Sequence, residues 1–286
     1  MTTTANGTAA QTTPFGRVPR PFDGKRVINY WKDGHIAFIE MDDPPANTYT
    51  HEMMRQMDEA ILDARFDSEV EVIVITGKGE KFFSAGANIA MLNQVTPEFK
   101  YQFCLHANET LQRLEQTPKL VIAAINGHCV GGGLEIAMAC DLRIARKEGG
   151  KIGLPEVSLG VLPGTGGTQR LSRLVGKARA IELMATGKTF NFEHALEWGI
   201  INEIFEGDAA SFREQVTAYA KQFCSPIKAP MAVGHIKRAV QTGWELPLQD
   251  ALALERELQS LLFKSEDAKE GLSAYNEKRV ARFKNR

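Results

Sequence analysis

The sequence has little cysteine, almost no net charge and no long run of apolar residues. Its 286 residues include 4 cysteines, and 34 Lys and Arg nearly balance 35 Asp and Glu, which leaves a net charge of -1. Such a balance gives no support for a protein whose whole surface attracts nucleic acid or an anionic membrane. No apolar stretch approaches the ~20 residues that a membrane-spanning helix needs. We therefore expect neither nucleic acid nor membrane as a partner.

The few cysteines are scattered. They are Cys104, Cys129, Cys140 and Cys224, with no Cys-x-x-Cys pair, and the 6 histidines form no cluster beside them. Zinc sites usually need closely spaced ligands, so we predict no metal site. Unpaired thiols are typical of a reducing cytosol, so we predict free cysteines and a cytoplasmic location.

The beginning of the chain lacks both an apolar segment and arginine. Residues 1–13 are rich in Thr and Ala, and the first arginine is Arg17. A secretory signal needs an apolar core, and transit peptides are typically arginine-rich, so we expect neither. We predict a disordered tail over residues 1–24.

The rest of the chain alternates strand and helix signals, and its 43% hydrophobic residues suffice for a sizeable core. Strands are predicted at residues 27–31, 36–41, 70–75 and 120–125, the first two joined at the turn Lys32-Asp33-Gly34. Helices are predicted from about Thr50 and from Thr96, a capping hydroxyl that Pro97 and Glu98 follow. This alternation favours an α/β fold.

Helical periodicity replaces the strand signals from about residue 211. The leucines that mark a long amphipathic helix are Leu248, Leu252, Leu258 and Leu262. We predict an α/β core over residues 25–207 and a helical C-terminal subdomain over residues 208–286.

Three glycine-containing turns could present backbone N–H groups to a ligand. They cover residues 83–88, 126–135 and 160–168. The second turn enters a helix near Gly132, and free N–H groups at a helix start can hold a phosphate or an oxyanion. The same glycines could instead mark a close crossing of helix and strand. The spacing is not Gly-x-Gly-x-x-Gly, which disfavours a dinucleotide site.

Two acidic residues stand in apolar surroundings. Glu135 lies in the run Leu134 to Ala139, and Glu156 follows Leu154-Pro155. Burying an unpaired carboxylate costs several kcal/mol, so each is either paired or capping, or retained for acid–base chemistry. The residues alone leave both interpretations open.

Taken in order, these motifs resemble the enoyl-CoA hydratase/isomerase (crotonase) superfamily. The residues that carry the resemblance are Ala85-Gly86-Ala87-Asn88, Asn126-Gly127, Gly131-Gly132-Gly133 with Glu135, Pro155-Glu156, and Pro163-Gly164-Thr165-Gly166-Gly167-Thr168-Gln169-Arg170-Leu171. It extends from about residue 27 to a C-terminus in which Glu277-Lys278-Arg279 is similar to the family's tail. The resemblance implies a crotonase-like spiral of repeated ββα units with a C-terminal α-helical trimerisation region.

The resemblance also implies roles for individual residues. The backbone N–H groups of Ala87 and Gly132 would form an oxyanion hole for the thioester carbonyl. Glu135 would be the base that deprotonates water and Glu156 the acid that protonates the α-carbon, although the order could be reversed. The N–H of Gly164 would help to hold the water.

Because both glutamates are present, the sequence most resembles the enoyl-CoA hydratases, which are hydro-lyases. We expect syn addition of water to a 2,3-unsaturated acyl-CoA by a homotrimer or a hexamer of two trimers. The CoA thioester is the substrate, so no cofactor is expected. Alternatives are an isomerase, or a hydratase of branched, dicarboxylic or cyclic dienoyl-CoA esters. A non-catalytic acyl-CoA-binding or RNA-binding relative fits poorly with the intact glutamate pair and the balanced charge.

Contacts to CoA are carried over on shorter motifs. Ala46 and Asn47 correspond to a loop near the adenine, while Asn88 and Ile89, together with Ala87, would flank the pantetheine. Ala85 is expected to contact the substrate as well. Lys278 resembles a lysine that meets the nucleotide of a neighbouring subunit, or is simply a solvated helix charge. Asn88 stands where many members have Asp, and Ala90 where many have Lys, so the acyl substrate is left open.

Overall fold

The computed structural model of the protein describes residues 24–286, so the predicted tail lies, apart from Gly24, outside the described residues. The strands are β1 (Ile28–Asp33), β2 (Ile36–Met41), β3 (Val72–Gly77), β4 (Phe82–Ser84), β5 (Leu120–Ile125), β6 (His128–Val130), β7 (Leu142–Arg146), β8 (Ile152–Gly153) and β9 (Glu203–Phe205). The helices are α1 (His51–Phe66), α2 (Ile89–Leu92), α3 (Pro97–Gln116), α4 (Gly132–Met138), α5 (Gly167–Val175), α6 (Lys177–Thr186), α7 (Phe192–Glu197), α8 (Ala209–Lys221), α9 (Pro230–Gly243), α10 (Leu248–Phe263) and α11 (Glu266–Asn276), with a short 3-10 helix at Glu156–Leu159.

Two sheets share the strands in alternation. The larger sheet has the order β1-β2-β3-β5-β7-β9, and the smaller one has the order β4-β6-β8. Only the β1–β2 pair is antiparallel among the strand pairs of residues 24–286. The chain therefore adds one strand to each sheet and then a helical segment, three times in succession. This is the predicted crotonase-like spiral of ββα units.

Both faces of the larger sheet are buried. On β2 and β3, Ile39 and Ile73 point into the main core, while Phe38 and Val74 point to the opposite side. The opposite side is covered by α8, which contributes Phe212 among other residues. Burial on both faces explains why these strands read as continuous apolar runs.

The predicted helix starts are confirmed. Thr50 accepts a hydrogen bond from the N–H of Met53 at the start of α1, and Thr96 caps α3, with Pro97 in its first turn. Each cap satisfies an N–H group that the helix itself leaves free. Phe99 is 40% exposed, because it lies in the first turn of α3, beyond the core.

Two predicted boundaries are corrected. The β1–β2 turn is Gly34-His35, because Asp33 pairs with Ile36 and Gly34 adopts a φ of 58° that favours glycine. The third strand begins two residues later than predicted. The N–H of Val70 instead bonds to the carbonyl of Asp67, which keeps Val70 in a turn.

In the described chain after β9, the regular elements are the helices α8 to α11, joined by turns and followed by a non-helical end. α9 and α10 pack against each other, and Leu258 of α10 is buried, whereas Leu248 is 72% exposed. The division at residues 207 and 208 stays a prediction, and α8 packs directly on the larger sheet. No helix in residues 24–286 is long and apolar enough to cross a bilayer.

Candidate active site

The second glycine turn forms the start of α4. Gly131, the last residue before the helix, has a φ of 57°, which strongly favours glycine. A Cβ atom at Gly131 would lie 3.1 Å from Oε1 of Glu156. The missing side chain therefore lets the Glu156 carboxyl group approach the backbone at the helix start.

The next two glycines are tightly packed. A Cβ atom at Gly132 would overlap the ring of Tyr49, and one at Gly133 would overlap the carbonyl oxygen of Ser84. The close-crossing interpretation of these glycines is therefore correct. This packing is compatible with a ligand-binding role, because Tyr49 fills the space where a side chain of residue 132 would lie and the N–H group of Gly132 stays free.

Two backbone N–H groups meet beside this crossing. Tyr49 donates to the carbonyl of Gly86 and accepts from the N–H of Asn88, so the N–H of Ala87 between them points away from Tyr49. Gly86 has a φ of 87°, and a Cβ atom there would lie 2.8 Å from the nitrogen of Gly132. Within residues 24–286, neither the Ala87 nor the Gly132 N–H has a protein acceptor. The pair is thus available to an oxygen atom of a ligand.

Glu135 is held by the third glycine turn. Its Oε1 accepts hydrogen bonds from the N–H groups of Thr165 and Gly167, both at 2.7 Å. The side chain is 2% exposed. Burial raises the pKa of Glu135, and the two N–H donors oppose that rise. The structure records no protein donor to Oε2 among the described residues, so this oxygen can act on a ligand.

Glu156 opens the short 3-10 helix and is less confined. Its Oε2 is buried and has no hydrogen-bond partner in the described part of the chain. Burial raises the pKa of Glu156 to about 7. The backbone N–H of Glu156 opposes this rise, and the negative charge of Glu135 adds to it. A carboxyl group with this pKa exists in both protonation states near neutral pH, as an acid–base catalyst requires.

Gly164 directly precedes Thr165 in the third glycine turn and lies close to α3. A Cβ atom there would be 3.3 Å from Sγ of Cys104. The N–H of Gly164 has no protein acceptor within residues 24–286. Its predicted role in holding a water molecule stays a prediction.

The predicted CoA contacts fall into two groups. Ala85 donates to the carbonyl of Ala46 at 2.9 Å, which brings two of the predicted segments side by side. The buried Asn47 fixes the same loop, since its Nδ2 donates to the carbonyls of Lys78 and Phe82. Asn47 therefore shapes the loop and has no side-chain donor left for a nucleotide.

Asn88 and Ile89 lie at the start of α2. The side chain of Asn88 caps Met91 and donates to Thr48, and Ile89 is 46% exposed. Lys278 follows α11, and no hydrogen bond in the described chain joins it to the other predicted residues. The nucleotide contact of Lys278 with a neighbouring subunit stays a prediction.

Three residues beside the glutamates were not predicted. They are Tyr49, Thr165 and Lys100. The Tyr49 hydroxyl lies 3.0 Å from Oγ1 of Thr165. The positive charge of Lys100 lowers the pKa of both glutamates. Only Thr165 had a sequence signal, its position inside a glycine turn. Tyr49 and Lys100 reach the site through the packing of α3 and the loop after β2, which no local pattern indicates.

The arrangement can perform acid–base chemistry next to a polarised carbonyl. Two free N–H groups can stabilise an oxyanion, and two carboxyl groups with raised pKa values offer unoccupied oxygens. No three His, Cys, Asp or Glu side chains in residues 24–286 are grouped so that they could hold a metal ion. The cysteines Cys104, Cys129, Cys140 and Cys224 are free thiols.

Comparison with known proteins gives consistent results. A sequence model of the family described as Enoyl-CoA hydratase/isomerase matches residues 32–286. The chain is 39% identical to a short-chain-enoyl-CoA hydratase of Clostridium acetobutylicum, covering 89% of this chain and 97% of the relative. It is 37% identical to a probable enoyl-CoA hydratase of Bacillus subtilis, covering 90% and 98%. The crystal structure of an enoyl-CoA hydratase from Geobacillus kaustophilus superposes with a TM-score of 0.88 at 48% identity, covering 92% and 98%.

Proposed function

The chain belongs to the enoyl-CoA hydratase/isomerase family, and we propose that it is a hydro-lyase that adds water to 2,3-unsaturated acyl-CoA thioesters. One observation carries the proposal. Glu135 and Glu156, each with an oxygen that has no protein donor in the described chain, lie beside the free N–H groups of Ala87 and Gly132. The similarity to a short-chain-enoyl-CoA hydratase supports a short acyl chain.

The thioester carbonyl is proposed to bind between the N–H groups of Ala87 and Gly132. When a nucleophile attacks the β-carbon, negative charge moves onto this oxygen and forms an enolate. Donors already aimed at the developing charge need no reorganisation, and losing one such donor typically costs about 100- to 1,000-fold in rate. The donors are main-chain atoms, so the glycine-dependent packing around them is what preserves their position.

The water molecule is proposed to lie between the two glutamates. The Glu135 carboxylate, which accepts hydrogen bonds from two N–H groups, removes a proton from the water as the water oxygen attacks the β-carbon. Glu156, which holds a proton near neutral pH, then protonates the α-carbon. Both groups act from one face of the substrate, which gives syn addition. In dehydration the roles are exchanged.

The reaction changes no oxidation state overall and gains its polarisation from the thioester, so no resident cofactor is proposed. A cytoplasmic location is proposed as well, and the four free thiols support it.

We further propose that the chain forms a homotrimer or a hexamer of two trimers. Large apolar side chains lie exposed along α9 and α10. They are Ile236, Val240, Trp244, Leu248 and Phe263, each at least 60% exposed in the single chain. A patch of this kind usually marks an interface. Light scattering during size-exclusion chromatography tests the proposal, which a monomer at micromolar concentration would refute.

The catalytic proposal is tested with purified protein and crotonyl-CoA, by the loss of enoyl-thioester absorbance. Glu135→Gln and Glu156→Gln should each lower kcat by about 100- to 10,000-fold, since each removes a proton carrier. Glu182→Gln on the exposed face of α6 is the matched control and should keep the full rate. Full activity in both active-site variants would refute the mechanism. Straight, branched, dicarboxylic and cyclic enoyl-CoA esters then identify the acyl group.

A further inference from the structure

Thr165 is one of the two residues whose N–H groups hold Glu135. Its N–H donates to Oε1 of Glu135 at 2.7 Å, and its carbonyl accepts from Nη1 of Arg170 at 3.1 Å. Its Oγ1 lies 3.0 Å from the Tyr49 hydroxyl, and the residue is 2% exposed. Thus the two peptide groups and the side chain of Thr165 are each held by a different partner. The direction of its N–H is fixed by these contacts.

Arg170 is itself firmly placed. Its Nε and Nη2 donate to the two carboxylate oxygens of Glu115 on α3, both at 2.7 Å. Bidentate pairs of this kind have a defined geometry. The carbonyl side of Thr165 is therefore anchored to α3, whereas its side chain depends on Tyr49 alone, since no other hydrogen bond to Oγ1 is recorded in residues 24–286.

Tyr49 is rigidly placed by packing. Its side chain is among the largest that are fully buried, and its ring lies against Gly132 on one side and 5.7 Å from the ring of Phe103. Burial raises the pKa of Tyr49, and the negative charges of Glu135 and Glu156 add to the rise, so Tyr49 stays a neutral phenol in the working pH range. A neutral, immobile hydroxyl is suited to hold a neighbouring side chain.

We propose that Tyr49 is a positioning residue for the reaction: its hydroxyl holds Oγ1 of Thr165, and this directs the Thr165 N–H onto Glu135. Because the Tyr49 ring also packs on Gly132, one side chain links the oxyanion-hole backbone to the base. The inference rests on the proposed function of Glu135. It extends that function by assigning a task to two hydroxyl groups that touch neither water nor substrate in the mechanism above.

The test compares Tyr49→Phe, Thr165→Val, the double variant and Thr165→Ser. Tyr49→Phe and Thr165→Val each remove one hydroxyl and keep the shape, so each should lower kcat for crotonyl-CoA about 2- to 10-fold, the equivalent of one hydrogen bond. KM should stay within about twofold. The double variant should be no slower than either single variant, and Thr165→Ser should retain most of the rate.

The pH profile separates positioning from general damage. The Thr165 N–H stabilises the Glu135 anion, so a less well directed N–H raises the pKa of Glu135. The acidic limb of kcat should therefore move to higher pH in Tyr49→Phe and Thr165→Val. The matched control is Tyr219→Phe on α8, since the ring of Tyr219 contacts Phe205 and Phe223. This variant should change neither kcat nor the position of the acidic limb of its pH profile.

A second measurement does not need turnover. Infrared titration follows the protonated carboxyl band of Glu135, identified as the band that Glu135→Gln removes. In Tyr49→Phe this band should appear at higher pH than in the original protein. An unchanged titration, or independent and additive losses in the double variant, would overturn the inference. If the original protein hydrates no enoyl-CoA ester, the proposed function fails, and the infrared titration still decides whether Tyr49 positions Glu135.

Discussion

Glu156 must carry a proton when it acts as the acid in hydration, and its pKa is raised to about 7. Hydration should therefore slow as the pH rises through 7. One pH unit above this pKa only about a tenth of the carboxyl groups remain protonated, so kcat should fall about tenfold between pH 6 and pH 8. Glu135, the proposed base, should set the acidic limb of the pH profile, and the profile reports macroscopic pKa values of the coupled pair.

Replacement of Lys100 should move both the acidic and the alkaline limb of the pH profile in a known direction. Its positive charge lowers the pKa of Glu135 and of Glu156. Replacing it in Lys100→Met removes that effect, so both limbs should move to higher pH while the profile keeps its bell shape. The assay is the initial rate of crotonyl-CoA hydration at constant ionic strength, with a correction for the pH dependence of KM.

The matched control is Lys177→Met, a lysine exposed at the start of α6. It should leave both limbs in place, because its charge is screened by solvent. The reasoning is refuted if the alkaline limb of Lys100→Met stays where it is in the original protein. It is also refuted if that limb persists unchanged in Glu156→Gln, since another group would then control it.

Three further predictions concern stability. Gly132→Ala places a Cβ atom in the Tyr49 ring, so urea denaturation should show a loss of about 1–3 kcal/mol in the free energy of unfolding. The variant should also lose its activity in the hydration of crotonyl-CoA. An unfolding midpoint equal to that of the original protein would contradict the packing. Lys237→Met leaves Asp141 without the ammonium that lies 2.8 Å away, and should cost about 3–5 kcal/mol in the same assay; an unchanged midpoint would contradict a buried pair. Burial raises the pKa of Glu156 above its ordinary value of 4.5, so the folded protein loses stability as the pH rises from 4.5 to about 7. Calorimetry should therefore show that Glu156→Gln raises Tm relative to the original protein at pH 8 more than at pH 4, and an equal effect at both would be inconsistent with this account.

Much of the fold could be predicted because its signals are local. The helix starts at Thr50 and Thr96 depend on side chains that cap their own helix, and the buried strands read as apolar runs. The strand ends were less accurate. Whether Val70 joins the sheet depends on a competing turn bond to Asp67, and an apolar residue gives the same signal in either case.

The site likewise contains residues that the sequence indicated and residues that it did not. Glu135 and Glu156 could be recognised because a carboxylate in an apolar run conflicts with its surroundings and needs a reason. Tyr49 and Lys100 agree with their local sequence, one as an apolar ring and the other as a helix charge. Their importance arises only where α3 and the loop after β2 meet α4, and a single sequence does not contain that contact in readable form.

The most direct measurement of the central account is the stereochemistry of hydration in deuterium oxide. Product formed from crotonyl-CoA is analysed by proton NMR for the relation between the new C2 deuterium and the C3 oxygen. The account predicts a single syn product, because the water activated by Glu135 attacks C3 from the same face on which Glu156 delivers its deuteron to C2. A mixture of syn and anti products, or anti addition alone, would contradict it.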